Sequence, residues 1–458
     1  MHKVRQHSLL IATIVTLSGC NAVELPNISD NLPFSKKSTS QEAVPAGQAY
    51  PLALGDMIGS APARVDMSKG FNAIMAQAID NDPGVIGALN ESKAKAAALR
   101  ITQTGKDYSF DATVLGGVED VTDEVAGVAA ILKASRLIND GGQLDAKIEA
   151  DEFASKAALS AYEAKRNERA AQLATSWIEL ERYQALQGLI DSRLGVLDPL
   201  MKQLEQVANS GMGDVSQVAA AQRTVSMIRV TQTDVAEKYA QARVAFTNGF
   251  GALPKSAGYN SGKISKAVPR GKTSALAEKA PALLAKYYAY RAAEANVAAI
   301  KGLDNVNVSF EAKVQKPFGN SDFASDESIG LVLTKKFYRG DQLKSRVDNA
   351  ESAAAAAADS VRSAYRDGEQ AVLAARQMIT SMDTAIGLAR QNAQITRDEI
   401  DYLRKQLIIG GSTLDAVLSA EARLYEAESK EIGFVAERRK AEIAILAATG
   451  RLVAAIGI

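Results

Sequence analysis

The hexapeptide Ser109-Phe110-Asp111-Ala112-Thr113-Val114 returns as Ser309-Phe310-Glu311-Ala312-Lys313-Val314, 200 positions later in a chain of 458 residues. Gln143-Leu144 returns as Gln342-Leu343, Gly211 as Gly410 and Gly251 as Gly450, each 199 positions on. Anchors at one near-constant offset define a tandem duplication over 67–254 and 274–453, with a linker at 255–273 and a tail at 454–458. The same architecture must therefore be reached twice.

Each copy carries a strand pair. Val306, Val308, Phe310, Ala312 and Val314 alternate with Asn305, Asn307, Ser309, Glu311, Lys313 and Gln315, a period of two that makes one face apolar and the other polar. A loop rich in Gly, Asn, Ser and Asp at 317–327 leads to Ile329, Leu331, Leu333 and Phe337 on alternate positions. Strands are expected at about 108–116 and 128–138 in the first copy and 305–315 and 328–338 in the second. Such a pair could be a hairpin on a soluble core. Ten residues at ~3.3 Å each, about 33 Å, match a bilayer crossing, which favours lipid-facing barrel strands. Two hairpins provide too few strands to close a barrel, and open edges are not tolerated in lipid, so several chains must share one.

From 143 to 209 and from 342 to 409 the pattern is helical, about 100 Å each at ~1.5 Å per residue, with Pro199 the only proline. Ile379, Met382, Ile386, Ala389, Ala393, Thr396, Ile400, Leu403 and Leu407 keep a three-four spacing. Leu180, Tyr183, Gln187, Ile190, Leu194, Leu197, Met201, Leu204 and Ala208 repeat it in register, so both copies carry a coiled-coil seam. The long helices end at Ser210-Gly211-Met212-Gly213 and Gly410-Gly411-Ser412, where glycine permits reversal. The chain returns as helices of about 35 residues from Asp214 and Thr413, the N-cap positions. Helices at 67–104 and 276–303 cover the other half of each long one. Lone Trp177 is expected to pack between helices.

The N-terminus reads as an export signal over 1–20: Lys3 and Arg5, an apolar stretch at 9–17 too short to span a bilayer, then Leu17-Ser18-Gly19-Cys20. That ending resembles the bacterial lipobox, whose cysteine is acylated and becomes residue one, and Asn21 after it points to the outer membrane. Residues 21–66, with Pro26, Pro33, Pro45, Pro51 and Pro62, read as an extended arm.

Both histidines, His2 and His7, and the only cysteine, Cys20, lie within the first 20 residues, so the mature chain keeps no histidine. No catalytic residue, metal site or cofactor is expected, and an enzyme is the weakest class. Lys plus Arg equals Asp plus Glu at 53 each, and no nucleic-acid partner is implied.

Gly410-Gly411-Ser412-Thr413-Leu414-Asp415-Ala416-Val417-Leu418-Ser419-Ala420-Glu421, Leu424-Tyr425 and Ala447-Ala448-Thr449-Gly450, with a looser first copy, resemble the TolC-like family of bacterial outer-membrane export proteins. The resemblance implies a mainly α protomer with two β-hairpins. Three such chains would form a 12-stranded barrel in the outer membrane, continued by an α-helical periplasmic tunnel. It implies a passive exit duct served by a periplasmic adaptor and an inner-membrane pump of ABC or RND type. The docking tips would be Gly211, Met212, Gly213, Asp214, Gly410, Gly411, Ser412 and Thr413, all of which also serve as turn and capping residues. Relatives close the periplasmic end by helix untwisting behind an acidic ring. Here Ala416 and Ser419 replace the expected acids, leaving Asp214 and Asp415 as constriction candidates that read equally as first-turn acids favoured by the helix dipole. The repeat looks like the type I protein-secretion branch, whereas the lipobox is common in the small-molecule efflux branch. A periplasmic coiled-coil adaptor or scaffold lipoprotein, the reading of a different class, would lack the two amphipathic strand pairs.

Overall fold

Prolines decide where the short helices begin. The computed structural model describes residues 65–120, 125–209, 215–254, 261–319, 321–338, 340–409 and 411–458. In place of one helix over 67–104, α1 (Phe71–Asp80) stops before Pro83 and α2 (Pro83–Gln103) restarts at it, because proline clashes with a preceding helical turn. Asp82 caps the restart, accepting from Gly84 N at 3.0 Å and Val85 N at 3.1 Å. Pro281 acts alike in the second copy, where α6 (Thr273–Ala277) precedes α7 (Pro281–Lys301).

The long helices run α3 (Gln143–Asn209), through Pro199, and α8 (Gln342–Ile408), 67 residues each. Their returning partners are α4 (Val215–Phe250) and α9 (Leu414–Ala448). α5 (Ser261–Ala267) lies between the copies and α10 (Leu452–Ile456) follows the second. Packing contacts order the helices as α2–α3–α7–α8 in the half next to the strands and as α4–α3–α9–α8 in the half next to the tips. The three-four seam of α8 is buried at Ile386, Ala389, Ala393, Thr396 and Ile400, and that of α3 at Leu180, Ile190, Leu194, Leu197, Met201 and Leu204.

At the waist, where the two short helices on each side meet, the core closes around Trp177. Its ring meets Phe71 at 5.0 Å, Phe246 at 5.2 Å and Phe250 at 5.4 Å, all edge-on. This is the packing role expected for it. Asn167 joins α10 to this core: its Oδ1 accepts from Leu452 N at 2.9 Å and Val453 N at 3.3 Å.

The strands are β1 (Ser109–Asp120), β2 (Val125–Asn139), β3 (Asn307–Phe318) and β4 (Asp326–Thr334). They form one antiparallel sheet in the order β1-β2-β3-β4, so the two hairpins are joined edge to edge through β2 and β3. β4 ends four residues earlier than the pattern predicts. Thr334 pairs with Asn307, the first residue of β3, so Phe337 has no strand to pair with.

Candidate functional site

Register aligns the side chains of all four strands into two faces. Phe110 pairs with Ala134, Ala134 with Ala312 and Ala312 with Ile329; one step away, Ala112, Leu132 and Val314 line up. With Leu331 and Leu333 these form an apolar face, interrupted next to the helices by Arg136, which pairs with Phe310, and Phe110, Val114, Leu132, Ile329, Leu331 and Leu333 are exposed on it. Exposed apolar area on that scale signals an apolar environment. Towards the loop end the same face turns polar at the Lys316–Glu327 ion pair, 2.6 Å.

The opposite face carries polar side chains paired with one another. Lys133 bridges Glu311 across β2 and β3 at 2.9 Å, Lys313 bridges Asp326 at 3.2 Å, and the Ser109 and Ser135 hydroxyls meet at 2.7 Å. Both signs alternate across this face, so it presents no single-sign field. The outermost strands β1 and β4 have no strand partner on their free sides among the described residues.

At the far end of the helices the second tip is built by capping. Gly411 N donates to Gln406 O at 2.8 Å, closing α8, and Thr413 Oγ1 accepts from Ala416 N at 3.2 Å, opening α9. Ser412 is half-buried, Gly411 and Thr413 are exposed, and Asp415 lies half-buried in the first turn of α9. Gly211, Met212, Gly213, Asp214 and Gly410, like Cys20, lie outside the described residues.

Above the tips sits an ion-pair cluster that the sequence reading passed over. Arg193 of α3 holds Glu421 at 3.0 Å and Glu428 at 2.6 Å, both on α9. Arg404 and Arg397 of α8 reach the same two carboxylates at 2.8 Å and 2.6 Å. The available signal was the heptad spacing of Glu421 and Glu428 beside an apolar seam. Nearer the waist, Lys440 of α9 pairs with Glu179 and with Glu437. Burial would lower its ammonium's pKa, but the hydrogen bonds it donates to the two carboxylates outweigh that and hold it above the ordinary lysine value.

Among the described residues no group of three or more His, Cys, Asp or Glu could hold a metal ion, and no helix is long and apolar enough to cross a membrane.

No protein-family model matches the chain, and no curated protein does. Solved structures do match. CusC, studied for the changes accompanying transmembrane channel formation, is 16% identical, covering 85% of this chain and 97% of that chain with a TM-score of 0.72. The open-state MtrE outer-membrane channel of Neisseria gonorrhoeae is 17% identical over 83% of this chain and 88% of its own, TM-score 0.71. VceC, an outer-membrane protein of Vibrio cholerae, is 15% identical over 83% and 95%, TM-score 0.69. The chain therefore has the fold of outer-membrane channels: long helices continued by a small antiparallel sheet. It is the TolC-like fold that the repeat and the glycine tips resemble.

Proposed function

We propose that this protein is the outer-membrane exit duct of a tripartite export system, working as a homotrimer whose twelve strands close one barrel. The observation that carries this reading is the four-stranded sheet, apolar on one face, polar on the other and open at both edges. An open edge in lipid leaves a row of backbone groups without partners, each costing several kcal/mol, and pairing β4 of one copy with β1 of the next removes every edge. The helical layer supports the same closure. On its α8 edge Leu388, Ile395 and Tyr402, with Ile409 just past the helix end, recur every seven residues and are exposed; on its α4 edge Met227 and Val230 are exposed. A heptad stripe that no helix among the described residues covers suits a helix of the neighbouring copy.

Disulfide mapping tests the closure, and the single native cysteine keeps its background low. Thr113→Cys in β1 is combined in turn with Ser328→Cys, Gly330→Cys or Val332→Cys in β4, all on the polar face. One of these pairs should give covalent dimers and trimers in oxidising conditions, with single variants giving none. No cross-link from any pair would overturn the shared barrel.

The adaptor docks at the tips, Gly411, Ser412 and Thr413 together with Gly211, Met212, Gly213, Asp214 and Gly410, and an inner-membrane pump of ABC or RND type supplies the energy. Asp415 and Asp214 stand at the periplasmic constriction. Cys20 carries the lipid anchor, and Cys20→Ser should abolish acyl labelling. The cargo is protein, in keeping with the secretion-like repeat; the lipobox supports a second reading, small-molecule efflux. A deletion strain separates the two, since loss of one or a few large proteins from the culture supernatant supports secretion, and an unchanged supernatant with raised toxin sensitivity supports efflux.

A further inference from the structure

The end of the sheet remote from the helices is partly covered on its polar face by residues 321–325, the connection entering β4. Three observations put this segment on that side. Gly127 of β2 belongs to the same face as Ala129, Ile131 and Lys133, and a Cβ built on it would collide with Ser321, whose Cα would stand 2.6 Å away. Ser321 Oγ accepts from Val128 N at 3.0 Å. Gln315 of β3, on the face of Glu311 and Lys313, donates from Nε2 to Ala324 O at 3.3 Å. The segment is also held together internally, since Phe323 N donates to Ser321 Oγ at 3.3 Å. Beneath it Ala129 is fully buried, and Phe323 is only 4% exposed although it lies in a loop of Ser, Asp and Ala.

A loop at the rim of a channel ordinarily turns outward into water, because its backbone needs solvent or partners. Here partners are supplied by the sheet itself: a hydroxyl on a strand N–H, a side-chain amide on a loop carbonyl, and a glycine that leaves room for both. An aromatic ring buried by such a loop stabilises the inward position by removing apolar surface from water, which an outward loop would return to it.

We propose that residues 321–325 form a size-selecting constriction at the outer mouth of the duct, with Phe323 as its anchor and Gly127, Ser321 and Gln315 as its positioning residues. The inference rests on the barrel reading above, in which the polar face lines the lumen; three copies of the segment then stand around one mouth. Solutes narrower than the gap between them pass freely, and a polymer passes only when the segment is displaced.

Thiol access from outside intact cells tests this. Ser109→Cys places a thiol on the polar face of β1 in the row of Ser135 and Glu311, deeper than the row of Gln315 where the segment is held. A small membrane-impermeant maleimide should label it, and a polyethylene-glycol maleimide should not. In the same background, Phe323→Ala, and separately replacement of residues 321–324 by glycine, should restore polymer labelling; Gly127→Ala, which displaces Ser321, should do so too. Assembly of each variant is checked by its oligomer band on a gel. Labelling of Ser109→Cys by both reagents alike, or continued exclusion of the polymer when both loop variants assemble, would overturn the constriction. Failure of the small reagent in every variant would instead overturn the lumen assignment, so the two readings fail in different ways. Exclusion of both reagents that is relieved in the loop variants supports the constriction in a tighter form.

Discussion

Trp177 and Arg376 occupy the same position, 199 residues apart, at the middle of the two long helices, and they do opposite things. Trp177 is fully buried in the aromatic core of the waist. Arg376 instead clasps the inter-repeat linker, donating to Pro269 O at 3.1 Å, Gly271 O at 2.7 Å and Thr273 Oγ1 at 3.2 Å. One copy builds the waist with apolar area and the other ties the linker down with a planar fork of donors.

Trp177→Ala removes the ring against which Phe71, Phe246 and Phe250 pack. It should cost about 4 kcal/mol, with Trp177→Phe costing less than half of that. Thermal unfolding followed by far-ultraviolet circular dichroism measures both, and a loss under about 1 kcal/mol for the alanine variant would show that the waist core does not depend on it.

Gly450 turns the chain at the end of α9 with φ of +69°, and a Cβ there would stand 2.5 Å from Pro281 Cγ. Gly142 has φ of +83° and open space around it. Gly142→Ala should therefore lose only the backbone term, about 1 kcal/mol, and Gly450→Ala clearly more, because Pro281 begins α7 and cannot move without it. Equal melting shifts for the two variants would contradict the steric account.

Arg193→Ala leaves Glu421, whose side chain is 3% exposed, with Arg404 as its remaining cation in the ion-pair cluster. Taking one of two cations from each of two largely buried carboxylates makes this costly, about 2 kcal/mol. Arg362 provides the contrast, since its pair with Asp359 is exposed on both sides. Arg362→Ala should change stability by less than about 0.5 kcal/mol. Denaturant titration of the two variants in detergent distinguishes them, and a neutral Arg193→Ala would mean that the three helices are held by their apolar seams alone.

Thr413→Ala deletes the cap on Ala416 N and should destabilise the start of α9 by about 1 kcal/mol, with Thr413→Ser close to the parent. Hydrogen exchange at residues 414–418 reads this locally, faster in the alanine variant and unchanged in serine. Faster exchange in both would assign the effect to the lost methyl group rather than to the cap.

Much of the fold is legible in the chain because its periods are local. The helix bounds at Gln143 and Gln342 follow from a three-four pattern sustained over tens of residues, and alternation from Val308 to Val314 identifies β3 without reference to anything distant. The pattern overruns the end of β4 because Phe337 keeps the register of Ile329, Leu331 and Leu333 despite Lys335, while pairing stops at Thr334: a strand's length is set by its partner as well as by its own residues. Of the candidate tip, Thr413 was readable as a cap from type and place alone, whereas Arg193, Glu421 and Glu428 look like any charged helix surface until three helices bring them together.

By itself, the sequence determined the duplication, the lengths of the long helices, the two faces of each strand and the scarcity of chemistry-bearing residues. Each follows from spacing within one segment. Only the tertiary structure decided that β2 and β3 join the hairpins into one sheet, that equivalent positions became Trp177 in a core and Arg376 on a linker, and that residues 321–325 turn onto the polar face. Those outcomes depend on contacts between residues as much as 193 positions apart, as in Val128 and Ser321. Local periodicity carries no information about which distant segment will supply the partner.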